Sequence, residues 1–278
     1  MLKGYTKQEI SWMMYDWANS AHSVIIVTLL PIFFDTVAGY TADSVSSMST
    51  WGYATSIAML IVALAAPFLG VFGDIRGMRK KLFSFFMLLG VAACAGMAFT
   101  PGMDFTSGPV AAGKVASLIL ILYIVSVIGF DASAIYYDAF LTDVTTEDRM
   151  DKVSTMGYGL GYIGGSTIPL LIFLIMNLVG VPMLTCLAFV FGLTAVWWLA
   201  FSLPLLKNCE QTSGKPYEKG DVARSIKGVG TTIKEIIANK PMLIYILSYF
   251  FYIDGVHTVI SMATTYGTNL GLDSTGMM

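Results

Sequence analysis

The first long apolar stretch of the chain is interrupted by side chains that can carry a proton or hydrogen-bond a solute. Four of them recur at helical spacing and therefore share one face of a helix: Asp16, Asn19, Ser20 and Ser23. A carboxyl group in an apolar span can exchange a proton or hold a positively charged group, and amide and hydroxyl groups can orient what it holds. We therefore predict that this face lines a polar pathway and does not contact lipid.

Three further carboxyl groups fall inside apolar stretches. Asp131 and Asp138 are seven residues apart on one helical face, and Asp254 is followed one turn later by His257. A charged aspartate at the centre of a span costs on the order of 2.5–3.5 kcal/mol on insertion scales. These groups must therefore face protein or water, either as hydrogen-bonded carboxyls within a bundle or along a transport pathway. The candidates for the pathway of a solute or a proton are Asp16, Asn19, Ser20, Asp131, Asp138, Asp254 and His257.

The composition is typical of an integral membrane protein. Apolar residues make up 56% and charged residues 12% of the 278 residues, and the mean hydropathy is +0.72. Apolar stretches long enough to cross about 30 Å of hydrocarbon recur along the chain, which predicts an all-α polytopic membrane protein. The three cysteines show no CxxC or His/Cys pattern and are interpreted as packing residues. We expect no metal, no cofactor and no catalytic residue.

Seven membrane-spanning helices, spans 1 to 7, are predicted. Their approximate bounds are 12–37, 51–72, 82–99, 114–140, 153–176, 182–206 and 241–265. Fifteen of the sixteen lysine and arginine residues then lie on one side of the membrane, and only Lys114 lies on the other. The positive-inside rule makes the first side the cytoplasm, which predicts a multi-pass protein of the cell (inner) membrane with a cytoplasmic N-terminus.

Three regions follow from the order of the spans. Residues 1–206 are predicted to form a six-helix transmembrane bundle, residues 207–240 a cytoplasmic linker, and residues 241–278 span 7 and the start of a second half. Within the linker, apolar residues recur at helical spacing among basic residues. This pattern predicts an amphipathic helix on the membrane surface or a solvated linker helix.

Span 5 carries glycines at four-residue spacing, namely Gly157, Gly161 and Gly165. Small residues on one face let two helix backbones approach closely, so we predict that this face packs against another span. Five aromatic residues near the starts of spans 1 and 2 are interpreted as residues of the membrane interface: Trp12, Tyr15, Trp17, Trp51 and Tyr53.

The turn after span 2 resembles the signature of the major facilitator superfamily, Gly-x-x-x-Asp-Arg-x-Gly-Arg-Lys. It departs from that signature at Ile75 and Met78, which stand where the signature has arginines. Together with residues 15–21, 153–165 and 252–256, the turn resembles the vacuole-effluxer-like branch, whose autophagy-related members are implicated in exporting amino acids from the vacuole. The residues that this resemblance assigns to a gating turn are Gly70, Asp74, Gly77, Arg79 and Lys80.

The resemblance implies a major facilitator fold of twelve helices in two halves, with helices 1, 4, 7 and 10 around a central cavity. It implies a secondary active transporter of a small polar solute, such as an amino acid, that works by alternating access. The expected partners are the solute, a proton and the lipid bilayer, and no nucleic acid. Because the sequence stops after span 7, we interpret it as a truncated form that lacks its C-terminal half as a structural partner. Arg79 or Lys80 is expected to pair with Asp143.

Two other functions stay open at this point. A membrane scaffold that transports nothing would carry the same spans and packing faces. A Mg²⁺-dependent prenyl or phosphatidyl transferase would use four carboxylates in and after span 4: Asp131, Asp138, Asp143 and Asp148. The regular spacings of such enzymes are not present, and the last two fall in a polar turn.

Overall fold

Helices provide nearly all the regular structure in the part of the chain that the computed structural model describes, residues 3–41, 44–214, 216 and 221–272. The helices are α1 (Lys7–Ala38), α2 (Ser44–Gly73), α3 (Arg79–Met97), α4 (Pro109–Val144), α5 (Met150–Leu160), α6 (Thr167–Leu178), α7 (Met183–Asn208), α8 (Asp221–Ala238) and α9 (Lys240–Asn269). A π-helical segment, Gly161–Ser166, joins α5 directly to α6. Short 3-10 turns, Thr100–Gly102 and Glu147–Arg149, precede α4 and α5.

Seven of these segments are long and apolar enough to cross a membrane, which confirms the seven spans and the all-α polytopic fold. Spans 1 to 4 are α1 to α4, span 5 is α5 with the π-helical segment and α6, span 6 is α7, and span 7 is α9. The first helix begins earlier than predicted because Thr6 and Glu9 form a capping box. Glu9 N–H donates to the Thr6 hydroxyl (3.1 Å), and Thr6 N–H donates to the Glu9 carboxylate (2.7 Å).

The helix α1 lies at the centre of the bundle, where it packs against α4, α5, the π-helical segment, α7 and α9. Trp12, Tyr15 and Trp51 are only 2%, 0% and 1% exposed, so their interpretation as interfacial aromatics is wrong. The Trp12 ring stacks on Tyr137 with centroids 4.3 Å apart, and Tyr15 packs edge-on against Phe83 at 4.8 Å. These rings are buried because α3 and α4 cover the start of α1.

Two clusters of buried apolar side chains fill the bundle. One is built from α1, α3, α4 and α7 around Trp198, near the start of α1. The other is built chiefly from α1, α2, α4 and α7, where Trp51 stacks on Tyr123 with centroids 4.4 Å apart. Backbone contact between α3 and α4 depends on two glycines, since a Cβ atom on Gly129 would lie 2.5 Å from the backbone nitrogen of Gly90.

The segments that carry many of the described basic residues meet at one end of the bundle, which we call the basic end. They are the start of α1, the α2–α3 turn, the α4–α5 turn and residues 209–214 after α7. This arrangement agrees with the predicted sidedness of these loops. That the basic end faces the cytoplasm stays a prediction.

The last two helices lie at the edge of the bundle. α9 contacts α1, α2 and α8, and its buried side chains are near its C-terminal end: Thr264, Thr265 and Gly267. Most other described residues of α9 are exposed, including Asp254 and His257. The helix predicted in the linker is present as α8, which contacts α2 and α9.

Candidate functional site

A pocket of about 310 Å³ opens between α1, α4 and span 5. Its volume is at the lower end of the range of small-molecule sites. α1 contributes Trp12, Asp16, Asn19, Ser20 and Ser23; α4 contributes Phe130, Ala134, Tyr137 and Asp138; span 5 contributes Ser154, Tyr158, Tyr162 and Ser166. The polar face of span 1 is thus one wall of a pocket.

The carboxyl group of Asp16 is oriented from α4. The Tyr137 hydroxyl donates to Asp16 Oδ2 (2.8 Å). The Tyr137 ring is itself held, because it stacks on Trp12, whose indole N–H donates to the Tyr137 carbonyl oxygen (2.9 Å). Within the described structure no hydrogen bond occupies Asp16 Oδ1. One oxygen of the carboxyl group is therefore fixed, and the other is available to a solute, a proton or water.

The glycines of span 5 face this same part of α1. A Cβ atom on Gly157 would lie 2.5 Å from Asp16 Oδ2, and one on Gly161 would lie 2.6 Å from Ser20 Oγ. A Cβ atom on Gly165 would lie 2.5 Å from the carbonyl oxygen of Trp17. The glycine face and the polar face are therefore two sides of one interface, in which the missing side chains leave room for the pocket's polar groups.

The span 5 wall of the pocket was not foreseen from the sequence. It consists of residues at four-residue spacing: Ser154, Tyr158, Tyr162 and Ser166. The hydroxyl groups of Tyr158 and Tyr162 are 3.5 Å apart, and their rings meet edge to face with centroids at 5.1 Å. These four polar and aromatic residues recur at helical spacing, as the polar residues of α1 do, and this pattern could have identified them from the sequence.

The structure separates the remaining predicted pathway residues. Asp138 lines the pocket and is exposed, whereas Asp131 lies two turns earlier on α4, half-buried and outside the pocket lining. Asp254 and His257 are exposed on α9 and do not line it either. Of the seven predicted pathway residues, the pocket thus brings together Asp16, Asn19, Ser20 and Asp138.

Asp143 pairs with Arg79, one of the two basic residues expected to be its partner. Arg79 Nη1 donates to Asp143 Oδ2 and to the carbonyl oxygen of Ala139 (2.9 Å). Both side chains are nearly inaccessible, at 5% and 0% exposure. Asp74, by contrast, is 84% exposed and lies 3.9 Å from Arg79. The arginine therefore has one buried and one exposed carboxylate partner.

The other residues of the predicted gating turn shape its backbone. Gly77 has φ +80°, which favours glycine, and the Gly70 carbonyl oxygen accepts the Asp74 N–H (3.1 Å). Lys80 is half-buried and makes no ion pair within the described structure.

Residues 209–214, which we call the strap, cross this turn. Gln211 accepts from the Gly77 N–H (2.8 Å) and the Arg79 N–H (3.2 Å), and donates to the Gly73 carbonyl oxygen (3.0 Å). Gly214 adopts φ +105°, where a Cβ atom would lie 2.7 Å from the Asp74 carbonyl oxygen. The strap thus ties the end of α7 to the α2–α3 turn, a contact that the sequence pattern did not reveal.

A second ion pair at the basic end joins Arg149 to Glu9. Arg149 Nε and Nη2 donate to the two carboxylate oxygens of Glu9, both at 2.8 Å, and Nη2 also donates to the Gly4 carbonyl oxygen (2.9 Å). The Thr145 hydroxyl donates to Glu9 as well (2.7 Å). Sequence reasoning missed this pair, although the Thr6-x-x-Glu9 pattern marks the capping carboxylate. The pair fixes the start of α1 to the α4–α5 turn.

Comparison with known proteins agrees with the resemblance seen in the sequence. The family model described as "Vacuole effluxer Atg22 like" matches residues 40–149 and 142–276. An MFS-type transporter of Bacillus subtilis, YxiO, is 40% identical over the whole of this chain, which spans 64% of that protein's length. Autophagy-related protein 22-1 of Sclerotinia sclerotiorum is 26% identical over 41% of this chain and 22% of its own length. The protein of the same name from Penicillium rubens is also 26% identical, over 41% and 21%.

The family match covers most of the chain, and the Bacillus relative extends that likeness to all of it. The chain therefore belongs to the vacuole effluxer Atg22-like family, a branch of the major facilitator superfamily.

Proposed function

We propose that this protein is a secondary active transporter of a small polar solute, with amino acids as the first class to test. The relatives are named as a transporter and as autophagy-related proteins, and the family as effluxers. The chain spans about 64% of the length of its Bacillus relative, so the activity of a whole family member is a proposal for this protein.

The observation that carries the proposal is an ionisable carboxyl group with a free oxygen on a pocket inside a membrane-crossing bundle. Asp16 lies on the central helix within a membrane-crossing span, where a carboxyl group is costly unless it faces protein or water, and here it faces the pocket. Asn19 and Ser20 lie beside it and offer an amide and a hydroxyl group. This combination suits a solute with several hydrogen-bonding groups, with a proton as the coupling ion.

We propose further that alternating access changes which residues face the pathway. Asp131, Asp254 and His257 would join it in another conformation, in which α9 moves relative to α1. The contacts of the basic end, centred on Arg79 and Asp143, would close the pathway on that side. By the positive-inside rule that side is the cytoplasm.

Transport is tested with the protein encoded by the reading frame that contains these 278 residues, purified and reconstituted in liposomes. Exchange of labelled amino acids across the membrane should exceed that of empty liposomes. Asp16→Asn should lower the exchange rate at least about tenfold, because an amide can neither release a proton nor carry a negative charge. Glu147→Gln, an equivalent change at an exposed turn, should not alter it.

An unchanged rate in Asp16→Asn would contradict the assignment of the pocket to the pathway. If no amino acid, amine or other small polar solute exchanges above background, the proposed transport is wrong and the scaffold becomes the favoured alternative. A metal-dependent transferase has less support, because the described residues contain no group of three or more histidine, cysteine, aspartate or glutamate side chains placed to hold a metal ion.

A further inference from the structure

We propose that the pocket recognises the ammonium group of its solute, and that Tyr158 and Tyr162 are specificity-determining residues for that group. The inference rests on the proposed function only in taking this pocket as the solute site. It narrows the solute to amines and to zwitterions with a free ammonium group, and it excludes solutes whose only charge is negative.

The charges of the pocket favour a cation. The lining includes the carboxyl groups of Asp16 and Asp138, and no lysine, arginine or histidine is among the described lining residues. Arg79 and Arg149 pair with carboxylates at the basic end, and neither lines the pocket. A carboxylate or phosphate entering the pocket would therefore meet like charge without a compensating partner, whereas an ammonium group would meet Asp16 Oδ1.

The aromatic residues of the pocket favour the same ligand. Five rings are among its lining residues: Trp12, Phe130, Tyr137, Tyr158 and Tyr162. Aromatic faces attract a partly desolvated cation through their quadrupole. Tyr158 and Tyr162 form a corner, with their rings 66° apart and their hydroxyl groups 3.5 Å from each other. This corner lies on span 5, which packs against the carboxyl group of Asp16 at Gly157, one residue before Tyr158.

The side chains of Tyr158 and Tyr162 are accessible to a ligand because most of their surface is exposed. They are 64% and 61% exposed, and their only hydrogen bond through the ring hydroxyls in the described structure is the one between them. Tyr137 is different, since its ring is buried and its hydroxyl orients Asp16. Substitution of Tyr158 and Tyr162 therefore changes the pocket without removing a buried contact.

The test compares three probes that differ in one charged group each: alaninamide, alanine and N-acetylalanine. Binding to the purified protein in detergent is followed by the ligand-dependent rise of the unfolding temperature, which requires no transport. Alaninamide and alanine should raise it, and N-acetylalanine should not. A shift by N-acetylalanine equal to that by alaninamide, or no shift with any probe, would overturn the inference.

The role of the rings is tested with the double variants Tyr158→Leu/Tyr162→Leu and Tyr158→Phe/Tyr162→Phe. The leucine variant should bind alaninamide about tenfold more weakly, and the phenylalanine variant should stay within about threefold of the original protein. Tyr245→Leu, at a 70% exposed tyrosine outside this pocket, is the matched control. Equal affinity in the leucine variant and the original protein would refute the role of the rings.

The two proposals fail separately. If alaninamide binds as expected while reconstituted protein moves no solute, the proposed transport is wrong and the ammonium site stands. If solute is moved and N-acetylalanine competes as well as alaninamide, transport stands and the ammonium site is wrong.

Discussion

Asp143→Asn is expected to release the strap from the basic end. Asp143 Oδ1 accepts three hydrogen bonds from the strap: from Thr212 N–H (3.0 Å), the Thr212 hydroxyl (2.9 Å) and Ser213 N–H (2.8 Å). Its other oxygen accepts from Arg79. An asparagine has only one oxygen, so either the strap loses its acceptor or the guanidinium faces an NH₂ group.

The expected size of the effect follows from these contacts. A hydrogen bond to a charged group contributes about 1.5–3 kcal/mol. Because Thr212 and Ser213 are exposed, we count the three bonds together as one such contribution of about 2–3 kcal/mol. At about 1.4 kcal/mol per factor of ten, the strap should open about 30- to 150-fold more often in the variant.

Cys209, the first residue of the strap, reports this opening. It is fully buried, its thiol donates to the Gln8 carbonyl oxygen (3.6 Å), and burial raises the pKa of the thiol to about 12. The closed thiol is therefore unreactive near pH 8, because the thiolate is the nucleophile. In a background with alanine at Cys94 and Cys186, the rate of labelling by an iodoacetamide dye measures the open fraction.

Asp74→Asn is the matched control, because it makes the same change at the exposed partner of the same arginine. An exposed ion pair is worth at most about 1 kcal/mol, so labelling should rise less than about fivefold. The reasoning would be refuted if Asp143→Asn left the labelling rate within fivefold of the original, or if both variants raised it equally.

Three further predictions concern the same interfaces. Gly164→Ala should lower the stability by about 1–3 kcal/mol, since the added Cβ atom would overlap the Trp17 ring. Gly159→Ala is the control, because a Cβ atom there meets no neighbour and should not lower the stability. Thermal unfolding in detergent measures both variants. Glu9→Gln should lower the stability measured by denaturant unfolding, because it removes the charge that accepts two hydrogen bonds from Arg149; the loss should be modest, since the Arg149 side chain is 32% exposed and water can solvate its charge. The labelling rate of Cys209 should keep rising with pH above about 8.5, where labelling of a free thiol levels off. The reason is that the pKa of the thiol is raised only while the strap is closed, so that loss of its proton at higher pH favours the open strap.

Much of the architecture could be predicted from the sequence, because apolar length and the placement of basic residues report directly on the bilayer. The four-residue spacing of glycines likewise reported a close helix contact, which the structure finds between Gly157 or Gly161 and α1. What the spacing could not give was the identity of the partner helix. Trp12 and Tyr15 were misassigned for the same reason, since an aromatic residue near a span end is either interfacial or buried by a neighbour that only the fold specifies.

The site was partly predictable. The stripe from Asp16 to Ser20 was found because charge inside an apolar span is costly wherever it occurs. Tyr158 and Tyr162 were missed because placing a tyrosine near a membrane surface has no such free-energy cost, so their spacing alone did not indicate a site. Gln211 was missed because its role depends on a loop crossing a turn far away in sequence, which no local pattern encodes. Asp254 satisfies the same rule as Asp16, yet it is exposed in the described conformation.

The π-helical segment sets the angular phase of span 5. In an ordinary α-helix each four-residue step advances by about 40° around the axis, so a stripe at that spacing turns away from a straight neighbour. The wider turn at Gly161–Ser166, closed in part by the Thr167 hydroxyl donating to the Tyr162 carbonyl oxygen (2.9 Å), offsets this drift. If the same six residues were wound as an ordinary α-helix, α6 would be rotated by about 100° relative to α5. The wider winding of this segment therefore decides which side of α6 faces α1 and α7.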